Sequence, residues 1–179
     1  MTQAVRITPP LETARTSSRK ASVRELDDLL RLDHEPLAAL YAAGVVPPMP
    51  SLDGDLRGRM LHVAQPSWLR TLGGAWAGKD SFPWRGKSFS HWSDTTGEGM
   101  NRVGSDRVLL FRFRTSVIPS RHDGAPCVNL DYDLPGNPFV IRAIEDEVRE
   151  IQDGLFLGQA YLRVGLKKHF VLWFGLTSR

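Results

Sequence analysis

The spacing of apolar residues changes character twice along the chain, and the changes outline its elements. From Met1 to about Ala21 no hydrophobic period exists. The residues are mostly Thr, Ser, Pro and Arg, so 1–21 reads as a flexible tail ahead of a single domain, 22–179. Ser22 and Glu25 have capping-box spacing, and Val23, Leu26, Leu29 and Leu30 share one face of a short helix. A second helix begins near Glu35-Pro36, carries Leu37, Leu40 and Tyr41, and stops at Gly44 ahead of Pro47-Pro48.

From Asp53 onward the period shortens to two, the mark of half-buried strands. Trp84 to Trp92 reads as one strand, and Gly99 to Val103 as a partner for the run Arg107 to Ile118. In that run Leu109, Phe111 and Phe113 share a face, opposite Arg112 and Arg114. His122-Asp123-Gly124 is a turn signal, so Cys127 to Asp133 returns beside it as a hairpin. The period then lengthens again. Asn137 and Pro138 suit a helix start, and Val140, Ile144, Val148 and Ile151 fall on one helical face. That phase buries Val148 and exposes Glu147. Two strands close the chain, about Leu155 to Val164 and Lys168 to Thr177, joined around Gly165-Leu166-Lys167.

The last strand contains Phe170-Val171-Leu172-Trp173-Phe174, which leaves no polar side and demands cover on both faces. A sheet curled around its own apolar face meets that demand, with helices outside. The expected fold is therefore mainly β (α+β). It is an antiparallel β-barrel, lipocalin-like, with two N-terminal helices and one helix before the last strand pair.

Composition narrows the classes. The single cysteine, Cys127, excludes an internal disulfide and any multi-cysteine zinc site. It also suits a reducing compartment, and with no apolar signal stretch after Met1 the expectation is a cytoplasmic chain without a membrane span. The formal charge is only +3, and much of the excess lies in Arg6, Arg15, Arg19, Lys20 and Arg24. No nucleic-acid reading motif follows this basic arm, so no nucleic-acid partner is expected. His34, His62, His91, His122 and His169 are scattered without HxH or HxxxH spacing, which argues against a metal. No GxSxG, P-loop or GxGxxG string occurs, and no cofactor is expected.

Short motifs add resemblances. Gly74-Ala75-Trp76-Ala77-Gly78 resembles the G-x-W-x-G signature of a small bacterial domain family, and its G-x-W part resembles the start of a lipocalin barrel. The lipocalin likeness implies a Trp closing the barrel end with a late Arg packed on it, a role open to Arg163 or Arg179. The flanks depart from it, because Trp68-Leu69-Arg70 reads helical and Lys79-Asp80-Ser81 reads as a turn. A broader pattern is similar to uncharacterised bacterial proteins: Trp84-Arg85-Gly86-Lys87-Ser88-Phe89, Leu130-Asp131-Tyr132-Asp133, Ile144 to Ile151, and Gly154-Leu155-Phe156-Leu157-Gly158. It spans roughly the C-terminal two-thirds and implies a domain type without an activity.

The chemistry-bearing candidates sit on the strand Cys127 to Asp133. Period two places Cys127, Asn129, Asp131 and Asp133 on one face and Val128, Leu130 and Tyr132 on the other. Asp131 and Tyr132 are thus rival catalytic or anchoring residues, since only one face lines an interior. On a helix, Asp146 and Glu147 would point about 100° apart and not converge. The strand aromatics Trp84, Phe89, Phe111, Phe113, Tyr161 and Trp173 are candidate ligand-binding walls. The function expected is binding of a small, largely apolar molecule in a barrel cavity. The alternatives are a cofactor-independent isomerase or cyclase using the same cavity, and a protein-interaction domain using the N-terminal helices. Deleting the tail before Ser22 should leave the melting temperature within a few degrees, measured by circular dichroism, whereas a large drop would mean that the tail docks on the body.

Overall fold

Alternating side chains need a sheet with one covered face, and here the sheet covers itself. The structure, a computed structural model, describes residues 23–63, 84–104 and 108–178. The strands are β1 (Gly54–Val63), β2 (Trp84–His91), β3 (Thr96–Val103), β4 (Leu109–Pro119), β5 (Pro126–Asp131), β6 (Ile144–Gln152), β7 (Leu155–Val164) and β8 (Lys167–Thr177). Each pairs antiparallel with the next, and β8 returns to β1 with Arg57 opposite Thr177, closing an eight-stranded barrel. Closure removes both sheet edges. The expected tail at 1–21 and the Gly74–Gly78 motif lie outside the described residues.

One expected element is overturned. The segment read as a helix from Asn137 to Ile151 is a 3-10 turn at Ile141–Ala143 followed by strand β6. The apolar spacing misled because Ile144 and Val148 are four apart, and four is an even number. That interval keeps two residues on one face of a strand as well as on one face of a helix. Val148 is buried as expected, but Glu147 is completely buried too, against expectation. It projects from the outer face of β6 beneath a helix.

The two N-terminal helices are present, as α1 (Leu26–Leu29) and α2 (His34–Ala43), the latter capped at Gly44. The capping box of α1 is formed by Glu25 and Asp28, three residues later than the pair read from the sequence. Leu26, Leu29, Leu37 and Tyr41 pack on the outward residues Leu155, Leu157 and Trp173. This layer covers the outer face of β8 and accounts for its lack of a polar side. Gly175 permits the contact, since a Cβ there would come within 2.4 Å of Leu26 Cδ1.

The inward residues form a second core that runs from solid to loose along the barrel axis. At the end where β1 begins, the 3-10 turn Met49–Leu52 inserts Met49 and Leu52 as a plug. Near it Leu56, Phe113, Val128, Leu130, Val148, Phe156 and Leu176 are buried. Glycines make room for the rings: a Cβ on Gly99 would lie 2.5 Å from Phe113, and one on Gly158 2.2 Å from Phe174. Toward the opposite end, Trp84, Phe111, Ile144, Ala160 and Leu172 still pack on this core but are only half-buried. Gly158→Ala should destabilise the fold by about 1–3 kcal/mol through overpacking, and adding Phe174→Leu should recover part of the loss in urea melts.

Candidate functional site

The loose half of the barrel holds a polar cluster that period two brings together from four parts of the chain. Lys87 is in phase with the inward Phe89 on β2, and Asn101 lies directly across from it on β3. Tyr132 follows β5 on the face of Val128 and Leu130, and Asp146 lies between Ile144 and Val148 on β6. A bulge between Trp84 and Gly86 lets Trp84 share this face with Lys87 although they are three residues apart. Only glycine fits at position 86, where φ is +136° and a Cβ would fall 2.0 Å from the Leu56 carbonyl oxygen.

The contacts are short and convergent. Lys87 Nζ donates to Asp146 Oδ2 at 2.8 Å, Asn101 Oδ1 at 3.0 Å and the Tyr132 hydroxyl at 2.5 Å. The Tyr132 hydroxyl donates to Asp146 Oδ2 at 3.1 Å and accepts from Asn101 Nδ2 at 3.0 Å. Trp84 Nε1 donates to Asn101 Oδ1 at 3.0 Å. Four aromatic rings surround the ammonium, with the Trp84, Phe113, Tyr132 and Phe174 centroids 5.1–5.7 Å away. The faces of such rings attract a cation.

Burial sets the electrostatics. It pushes the Lys87 ammonium below its ordinary range, and the neighbouring Asp146 charge opposes the shift only in part. The Tyr132 phenol is driven well above its ordinary value, first by burial and then by the Asp146 carboxylate. A bulge on β4 adds strain beside the cluster. Phe111 sits there with φ +57°, in the left-handed region, and its carbonyl accepts from Asn101 Nδ2 at 3.4 Å.

Of the rival pair, Tyr132 faces the interior and Asp131 is exposed outside. Trp84, Phe89 and Phe113 line the interior, with Phe111 half-buried beside them. Tyr161 and Trp173 do not line it. They lie on the outer face, where Tyr161 packs against Phe170 and Trp173 meets α2, donating to His34 Nδ1 at 3.0 Å. Their position on β7 and β8 is opposite in phase to Phe156 and Phe174. Lys87, Asn101 and Asp146 were missed by sequence reasoning. Lys87 was accessible to it through its phase with Phe89, whereas Asp146 was hidden by the helical reading of its segment.

Asp146 and Glu147 do not converge, as expected, but for a different reason: on a strand they point to opposite faces. Glu147 accepts from Ser120 Oγ at 2.6 Å, Gln159 Nε2 at 3.0 Å and the Arg121 backbone N–H at 3.0 Å. Beside it Arg149 binds Asp123 through two nitrogens and donates to the Tyr41 carbonyl, anchoring α2 to the β4–β5 turn. Cys127 is buried in this outer layer, its thiol pushed up to about 12 by burial and then by Glu147. A thiol so raised is a poor nucleophile. Arg163 pairs with Asp133, and the Trp it was expected to meet lies outside the described residues. No group of His, Cys, Asp or Glu among the described residues is placed to hold a metal, and none of their helices is long and apolar enough to cross a membrane.

Fold and site together define an eight-stranded, antiparallel, closed barrel with a buried Lys–Asp–Tyr–Asn cluster in its interior. No family model and no curated protein matches the chain. A solved structure of a protein from Thermomonospora curvata is similar over 83% of this chain and 88% of that one, at 17% identity and a TM-score of 0.46. A likeness of that degree says nothing of function.

The cluster's energetics are testable by themselves. Lys87→Met should cost about 3–5 kcal/mol, because it leaves the Asp146 carboxylate buried and unpaired, while Lys87→Met with Asp146→Leu should recover most of it. Chemical denaturation of the three proteins measures both values, and equal losses in the single and double variants would show that the two groups are not coupled.

Proposed function

We propose that the barrel binds one small, largely apolar molecule, in the lipocalin-like manner, with its polar end at the Lys87–Tyr132–Asp146–Asn101 cluster. The observation that carries this reading is the change in packing along the axis. The plugged half is solid, and a polar cluster lies where the half-buried Trp84, Phe111, Ile144, Ala160 and Leu172 begin. Apolar walls with a few convergent polar groups are what small-ligand sites use. The same end of the barrel is rimmed by exposed apolar residues, among them Leu109, Phe139, Val140, Val164 and Leu166, which suits the passage of an apolar guest. The helices, by contrast, lay Leu26, Leu29, Leu37 and Tyr41 on the barrel wall, which leaves less of their apolar surface for a partner.

A second reading, a cofactor-independent isomerase or cyclase, has one specific support. The Tyr132 hydroxyl bridges Lys87 and Asp146, an arrangement able to pass a proton. Asp131, exposed on the outer face, has no part in it.

Titration with the neutral apolar dye Nile red tests the binding reading. The native protein should bind about one dye, and Ala160→Phe, which sets a ring directly across from Asp146 on the adjoining strand, should abolish binding, whereas the rim variant Leu166→Ser should weaken it only slightly. Binding unchanged by Ala160→Phe would place the dye elsewhere and defeat the proposal. Tyr132→Phe then separates the two readings: a carrier keeps most of its dye affinity, while an isomerase acting on an enolisable ketone loses turnover.

A further inference from the structure

Hydrogen-bond capacity within the Lys87 cluster is almost completely spent, and the remainder has a definite chemical sign. A lysine ammonium has three donors and no acceptor. All three are used, on Asn101, Tyr132 and Asp146. The Tyr132 hydroxyl gives its one proton to Asp146 and accepts from Lys87 and Asn101, which fills both lone pairs. Asn101 accepts twice at Oδ1, from Lys87 and Trp84, and donates twice from Nδ2, to Tyr132 and the Phe111 carbonyl. Asp146 Oδ2 accepts from Lys87 and Tyr132. Asp146 Oδ1 accepts from no described residue, and the side chain keeps 5% of its surface exposed. The cluster therefore has no donor to offer and one strong acceptor open to a partner.

Charge points the same way. Lys87 and Asp146 cancel at 2.8 Å in surroundings of aromatic rings. A ligand carboxylate would bring a second negative charge against that carboxylate oxygen, with every donor of the cluster already engaged. A ligand ammonium would meet the Lys87 charge. A neutral group that donates one hydrogen bond suffers neither penalty, and it gives that oxygen a partner.

Building on the interior-site reading above, we infer that the ligand is an apolar alcohol whose hydroxyl donates to Asp146 Oδ1, and that the site discriminates against the corresponding carboxylate. The apolar body then lies along Trp84, Phe111, Ile144, Ala160 and Leu172, toward the unplugged end. Lys87 acts here as a positioning residue. Its ammonium and the Tyr132 hydroxyl both hold Oδ2, which leaves Oδ1 to the incoming group.

Isothermal titration of the full chain at pH 7.5 with decan-1-ol, its methyl ether and decanoate tests this inference. The alcohol should bind one molecule per chain. The ether, which has lost only the donor, and the decanoate, which has gained the charge, should each bind at least about tenfold more weakly. Asp146→Asn should narrow or reverse the preference of alcohol over decanoate, because Lys87 is then left without its counter-charge. The three-probe series on the unaltered protein stands without that variant, should it fail to fold. Decanoate or the ether binding as tightly as the alcohol would overturn the alcohol assignment while leaving the interior site in place. Failure of all three to bind would overturn the interior site itself.

Discussion

The architecture turns on one ion pair, Lys87 with Asp146, drawn across the inside of the barrel. β2 and β6 lie four places apart in a ring of eight, so the pair joins opposite walls rather than neighbours. A charge pair in such surroundings depends on further hydrogen bonds to its atoms. Tyr132 and Asn101 supply those bonds, and Trp84 holds Asn101 in turn. The requirement spreads outward into the backbone. The bulge at Gly86 brings Trp84 and Lys87 to one face, and the bulge at Phe111 points a strained carbonyl at Asn101. Two irregularities in the strands thus serve one constellation.

Outside the barrel a separate network does different work. Glu147 and Arg149 leave the opposite face of β6 and engage Tyr41, Ser120, Asp123 and Gln159. They fasten α2 and the β4–β5 turn to the wall, next to the apolar layer of Leu37, Leu157 and Trp173. Alternation along one strand therefore distributes adjacent charged residues between two networks with distinct roles. The interior group joins opposite walls, while the exterior group fastens a helix and a turn to one of them.

Much of this fold was legible because period two was visible in β4 and β5, and because the all-apolar run at Phe170–Phe174 required cover on both sides. The choice of Tyr132 over Asp131 needed only the phase of β5 relative to the barrel. β6 was illegible for a physical reason. Its inward residues are Ile144, Asp146 and Val148, so a charged group interrupts the apolar alternation at the position where it matters most. Good helix formers and an inviting Asn137-Pro138 start then made the helical period look superior. Tyr161 and Trp173 were misplaced because a barrel wrapped by helices needs aromatic residues on both faces, and residue type alone does not say which.

The sequence of β6 also bears on how the barrel avoids folding out of step. A slip by one residue would offer Glu145 or Glu147 to Lys87 in place of Asp146, so the sign of the charge is a poor guard against misalignment. The same slip would drive the Arg149 guanidinium toward Phe156 and Leu130, and would bring Val148 out against the polar groups that Arg149 serves. A buried guanidinium without Asp123 is far less tolerable than a carboxylate one methylene too long. Strand alignment in this barrel is thus enforced by the cation that never enters it.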